Sequence, residues 1–345
     1  MGERPDDELL GTVEDEQDAL HEAEALEEPK RHPLKFILRI VIGIVVVVIL
    51  IARTSDRGEL ADAFRQADLG WAVGAGVALL FGIVASAARW SAYLDALEIP
   101  MPFRTTLRLY FIGTFFNAFL PSGIGGDAYK GVRIGKVYGR YTPGFASVFL
   151  DRFAGFVALA LIGLVGSLIE LVVGEFQEVA AAGAILSFGM VTAATLVLFA
   201  GERMLGGGRL VKRHGVGEKL RGAVRAIHAA ARHREAAGRG YLYGLVFQVL
   251  VLAYHLLIAR ALDVRGVSIA AMTGVVVVAS LATLVPLSPG GLGFREAAYV
   301  WALGAFAVPE ATALAFALLV LAVLLMTSAV GGLVYIARGG VIGGR

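Results

Sequence analysis

Cysteine is absent from the 345 residues. That excludes disulfides, thiolate metal or iron–sulfur sites and thiol nucleophiles, and it leaves the compartment open. Charge is sparse, at 17% of residues. No G-x-x-x-x-G-K-[ST] phosphate loop occurs, which argues against ATP-driven work by this chain alone. There is no Ser/His/Asp order, no metal-ligand spacing and no pair of carboxylates on a short loop. Nothing therefore demands an enzyme, and no cofactor, metal or nucleic-acid partner is expected. Prolines number only 10, and where they fall becomes informative below.

Apolar sequence dominates instead: 57% of residues are hydrophobic and the mean hydropathy is +0.72, far above an ordinary soluble domain. Apolar runs cover Phe36–Ala52, Trp71–Ala88, Leu109–Leu120, Phe153–Val173, Val179–Ala200, Tyr241–Ala259, Ile269–Leu287, Phe294–Val308 and Ala311–Ile336. A helix needs about 20 apolar residues to cross a bilayer, so the fold class expected is an all-α polytopic membrane protein. The runs at Leu109–Leu120 and Phe294–Val308 are short for full crossings. The first 35 residues are polar, so a cleavable signal peptide is not expected and the first run reads as an uncleaved anchor.

The net charge of +2 hides a split. Residues 1–28 hold twelve Asp or Glu and one Arg, leaving 30 basic and 17 acidic side chains in the rest. Four units follow: an acidic tail (1–34) read as disordered, a first membrane half (35–200), a basic loop (201–240) and a second membrane half (241–345). The basic loop carries Leu220, Val224 and Ile227 at helical spacing beside Arg221 and Arg225, a pattern suited to a helix lying on anionic lipid.

Two stretches share one pattern, P-x-x-x-G-G-x-x-(aromatic)-(cation). They are Pro121-Ser-Gly-Ile-Gly125-Gly126-Asp-Ala-Tyr-Lys130 and Pro286-Leu-Ser-Pro289-Gly290-Gly291-Leu-Gly-Phe-Arg295, 165 residues apart (121 to 286). Proline removes an N–H donor and glycine makes ordered backbone costly, so both break helices. Inside a bilayer such breaks survive only where protein or a wet cavity satisfies the freed backbone. One break per half, at matched spacing, is the mark of a transporter with a mid-membrane site between repeats.

Charge bias then sets the crossings, because Lys and Arg are retained in the cytoplasm. If every run crossed, Lys130–Arg140 and the 201–240 loop would both lie outside. If Leu109–Lys130 dips in and returns, all the basic segments stay inside. The expectation is six full spans plus two re-entrant broken helices, at 121–130 and 286–296, in an inverted repeat, with both termini cytoplasmic. Ordinary tilted helices with Gly/Pro kinks are the alternative.

Ionisable groups in spans are expensive and mark candidate sites. The first break offers Asn117, Ser122, Asp127 and Lys130; Gly-Gly beside a cation suits a phosphate. Lys130, Arg133, Lys136 and Arg140 also fall on one stripe that would simply anchor a surface helix to lipid. Asp151 and Arg152 open a long span, either gripping a headgroup or serving as helix-end charge and snorkelling side chain. Arg89 either snorkels or reaches the same vestibule. The second break adds Ser288, Arg295 and Glu296, with Glu296 a protonatable carboxylate, a partner for Arg295 or a helix cap. Gln248 and His255 share a span face and read mainly as packing. Glu170 and Glu175 read as marking a span end.

Three segments, Asn117-Ala-Phe-Leu-Pro-Ser-Gly-Ile-Gly-Gly-Asp127, Asp151-Arg152 and Ser288-Pro-Gly-Gly-Leu-Gly-Phe-Arg-Glu296, together resemble the lysylphosphatidylglycerol synthase transmembrane-region family of flippase-like membrane proteins. The resemblance spans roughly residues 35–337. It implies recurrent polar positions at Asn117, Asp127, Asp151, Arg152 and Glu296, and a lipid or lipid-linked headgroup as cargo. No aminoacyl-transferase domain is expected after the last span. Membrane lipids are the partners expected, with a separate lipid-modifying enzyme or a second copy of the chain also open. A membrane glycosyltransferase using a lipid-phosphate sugar donor, or an envelope-synthesis scaffold, are the alternatives to a translocase.

Overall fold

The computed structural model describes residues 33–54, 57–119, 125–174, 177–206, 233–284 and 288–337. The acidic tail, most of the basic loop, Pro121, Ser122 and Pro286 lie outside the described residues. In chain order the helices are α1 (Pro33–Arg53), α2 (Arg57–Arg65), α3 (Leu69–Ala96), α4 (Phe103–Phe119), α5 (Gly125–Tyr138), α6 (Tyr141–Val173), α7 (Gln177–Gly206), α8 (Arg234–Ala261), α9 (Ile269–Ala282), α10 (Phe294–Gly304) and α11 (Glu310–Ile336). No strand occurs among the described residues.

Helices α3, α6, α7, α8 and α11 are long and apolar enough to cross a membrane. Helix α1 has 21 residues, of which Val41–Arg53 forms a shorter apolar helix, so among the described residues five long apolar helices stand where six full spans are expected. Many large apolar side chains on these helices face outward, among them Phe81, Val172, Val173, Ile185 and Leu333, as a lipid solvent requires. Short helices precede the two motif segments. Helices α4 and α9 have 17 and 14 residues, roughly 26 and 21 Å at 1.5 Å per residue. Both fall short of a hydrocarbon core of about 30 Å.

Local chemistry explains the breaks. Helix α4 stops at Phe119, and the Asn117 amide oxygen accepts from the Gly126 N–H at 2.8 Å, so the first turn of α5 is satisfied from across the gap. At the second break Gly290, Gly291 and Gly293 all have positive φ (59, 73 and 85°), the left-handed region that favours glycine. Ser288 Oγ donates to the Leu292 carbonyl at 2.7 Å. Glu296 then accepts from the Gly293 N–H at 2.6 Å, the return half of a capping box. Helix α3 is capped by Asp68, which accepts from Gly70 and Trp71. Asp68→Ala is expected to cost about 1 kcal/mol in thermal unfolding, while Asp68→Asn leaves it nearly unchanged.

The repeat expected from the two motifs extends over four helices each. Helix α3 runs 69–96 and α8 runs 234–261, an offset of 165 at both ends (69 to 234, 96 to 261). Helices α4, α5 and α6 correspond in order to α9, α10 and α11. Packing is reciprocal: α3 lies on α8, α4 on α11, and α9 on α6. Gly331 on α11 lets the Phe111 carbonyl approach, and Gly166 on α6 does the same for Thr273; these glycines are again 165 apart (166 to 331). Helices α3, α6 and α7 separate the start of one repeat from the start of the next. Three crossings are odd, so the second repeat is inverted. Both α1 and α4 touch the 289–291 turn, which brings the second break beside the first repeat.

Candidate functional site

Helices α3, α4, α5 and α6 converge on one buried polar cluster beside the first break. Asp151, wholly buried, accepts from Arg89 Nε at 2.7 Å and from the Tyr110 hydroxyl at 3.0 Å. Lys130 Nζ stands 3.7 Å from its second oxygen. Asp127 and Lys130, three apart on α5 and so on one face, form an ion pair at 3.2 Å. Arg152 Nε donates to the other Asp127 oxygen at 2.8 Å.

Aromatic rings close the cluster. The Lys130 ammonium sits 4.3 Å from the Tyr110 ring centroid and 5.0 Å from that of Trp90, a cation–π arrangement. Trp90 in turn donates to Ser147 Oγ at 3.0 Å. Gly155 makes room for the Arg89 guanidinium, since a Cβ there would lie 2.9 Å from Nη1. That Nη1 has no hydrogen-bond partner among the described residues.

Three cations face two carboxylates, so the cluster carries a formal charge of +1. Arg152 is its accessible member, with 55% of its side chain exposed against 3% for Lys130. A third anionic group, supplied from outside the cluster, would neutralise the excess, because charge-assisted bonds strengthen away from water.

The second break is built differently. Arg295 donates twice to Glu296 Oε1, at 3.1 and 2.6 Å, and the other Glu296 oxygen caps α10. Both residues are buried, and their bonds stay within α10 and its approach turn. At the repeat-related positions Asp151 becomes Phe316 and Trp90 becomes His255. The His255 Nε2 lies 2.6 Å from the Tyr299 hydroxyl, so a charged cluster in one half is an aromatic and imidazole cluster in the other.

Several expectations need correction. Lys130 is not part of a surface stripe: it is 2% exposed, drawn inward by two carboxylates and two rings. Arg89 does not snorkel, because its carboxylate partner lies inside the bundle. Asp151 and Arg152, although adjacent, do not act as a pair; neighbours on a helix point about 100° apart, and each finds its partner on another element. Glu170 is no mere end marker, since it is buried and accepts from Ser268 Oγ at 2.6 Å. Ser268 in turn caps α9 at the Ala271 N–H. The sequence reading missed Tyr110, Trp90 and Ser147, whose only signal is polar atoms on otherwise apolar faces.

Two likenesses to known proteins agree with this architecture. A protein described as a UPF0104 membrane protein from Methanothermobacter thermautotrophicus is 26% identical over 279 residues, covering 74% of this chain and 80% of the relative. Residues 36–331 match the family described as the lysylphosphatidylglycerol synthase TM region. That match takes in both broken hairpins and all four helices of the charged cluster, and the chain belongs to the lysylphosphatidylglycerol synthase TM region family.

Proposed function

We propose that this protein is a lipid translocase of flippase type in the plasma membrane, with both termini cytoplasmic. The headgroup handled would be anionic, aminoacylated or polyprenyl-phosphate-linked. One observation carries the reading: a buried cluster with an excess positive charge stands beside an interrupted helix in the first of two inverted repeats. Arg152 makes the first contact with a phosphate, Lys130 and Arg89 supply the field behind it, and the acyl tails stay in the bilayer. Both aspartates are held in ion pairs, which suits positioning of charge.

The test is reconstitution in vesicles carrying labelled anionic, aminoacylated or polyprenyl-phosphate lipids. Leaflet transfer above protein-free vesicles is expected for at least one. Arg152→Ala should slow it about tenfold, matching loss of one hydrogen bond to a charged group, about 1.5–3 kcal/mol. Absence of transfer for every lipid class would overturn the assignment, and covalent sugar transfer would replace it with the enzyme reading.

A further inference from the structure

One face of α6 carries more than the charged cluster uses. Asp151, Gly155, Gly163, the adjacent Gly166 and Ser167, and Glu170 lie on the side turned into the bundle. Asp151 to Glu170 is 19 residues, roughly 28 Å along a helix, close to the thickness of a hydrocarbon core of about 30 Å. The two ends of this face are therefore buried carboxylates about one hydrocarbon thickness apart.

Polar groups from other helices meet this face between its ends. Gln248 of α8 donates to the Gly155 carbonyl at 3.2 Å. Next, Gln248, Gly163 and Thr273 line a small cavity of about 10 Å³, near the lower limit for one water, roughly 10–15 Å³. Ser187 of α7 approaches Gly163, and Ser167 approaches Gly183 of α7 and Gly274 of α9. Ser268 of α9 closes the series on Glu170.

Three buried polar atoms border this route without a partner among the described residues: Arg89 Nη1, Ser167 Oγ and Ser187 Oγ. Ser167 and Ser187 are fully buried. Glycine and serine faces usually serve close packing, and a helical serine usually bonds back to its own turn. These hydroxyls do not make that bond here. Unpaired polar atoms in an apolar interior cost free energy and are normally satisfied by water.

We propose that this face of α6 is a hydrated proton path running between Glu170 and Asp151. A proton taken up by the Glu170 carboxylate passes along Ser167, Thr273 and Ser187 with intervening water, which the Gln248 amide orients without relaying the proton itself. It arrives at Asp151, which faces Arg89, Tyr110 and Lys130 directly, with Tyr93 and Arg152 beyond. No bond other than O–H is made or broken. Protonating Asp151 loosens its hold on Arg89 and Lys130, which links proton entry to the charge of the cluster. The path goes beyond the translocase reading, which assigns no energy source.

The test uses the full chain in phosphatidylglycerol–phosphatidylethanolamine vesicles with a trapped pH dye and an imposed potassium diffusion potential. Wild-type vesicles should acidify several-fold faster than protein-free ones. Glu170→Gln should remove most of the excess while still accepting from Ser268, and Glu170→Asp should retain it. Ser187→Val fills the route from a different helix and should also block it, so a folding defect in one variant does not decide the matter. Wild-type flux no faster than protein-free vesicles, or Glu170→Gln conducting at the wild-type rate, overturns the path. Leaflet transfer measured in the same vesicles without a potential reports separately on the translocase reading.

Discussion

Asp151→Asn should destabilise the protein by about 3–5 kcal/mol, the usual cost of removing one partner from a buried ion pair, and should bring leaflet transfer to background. Asparagine keeps the shape and one acceptor, so packing is preserved. What is lost is the charge facing Arg89 and Lys130, which are 3% and 2% exposed and would be left as buried cations short of a counter-charge. Thermal unfolding in detergent measures the loss. Asp127→Asn should cost less, because buried Lys130 still faces Asp151, and the other partner, Arg152, is half exposed, where such pairs are worth about 0–1 kcal/mol.

A double variant separates stability from function. Arg89→Met with Asp151→Leu replaces the pair by apolar groups of similar volume, which is often neutral or stabilising. A double variant that folds as well as wild type but transfers no lipid places the requirement on the charge itself. Asp151→Asn unfolding within about 0.5 kcal/mol of wild type, the range of ordinary surface changes, would instead show that the Asp151 charge contributes little to the fold.

Gly126→Val is the other large effect. A Cβ at Gly126 runs into the Gly113 backbone, where no side chain can turn aside. Overpacking alone costs about 1–3 kcal/mol, and the α4–α5 hairpin must also open, which breaks the Asn117 bond to the Gly126 N–H. Poor yield and an early unfolding transition are expected. Gly189→Ala on α7 meets no heavy atom within 4 Å and gains helix propensity of about 0.5–1 kcal/mol. Equal behaviour of the two variants would mean that the hairpin is not close-packed at its break.

The contrast shows why some of this molecule was readable before folding and some was not. The breaks were legible because proline and paired glycines act on their own backbone. The site residues Asp127, Lys130 and Asp151 were legible because a charge in an apolar run is conspicuous. Their roles were not. Lys130 looked like one of four cations on a surface stripe, and nothing local says that two carboxylates and two rings will draw it inward. Glu170 looked like a terminal marker because its partner Ser268 lies 98 residues away.

By itself the sequence determined an all-helical membrane chain with two matched interruptions and a repeat offset of 165. Hydropathy over a span and backbone chemistry at a break each operate within a window of about 20 residues. Only the tertiary structure decided that Arg89 meets Asp151 across 62 positions and Arg152 meets Asp127 across 25. A buried charge takes whichever partner packing brings within hydrogen-bond reach, and in a bundle of inverted repeats that partner stands on another helix.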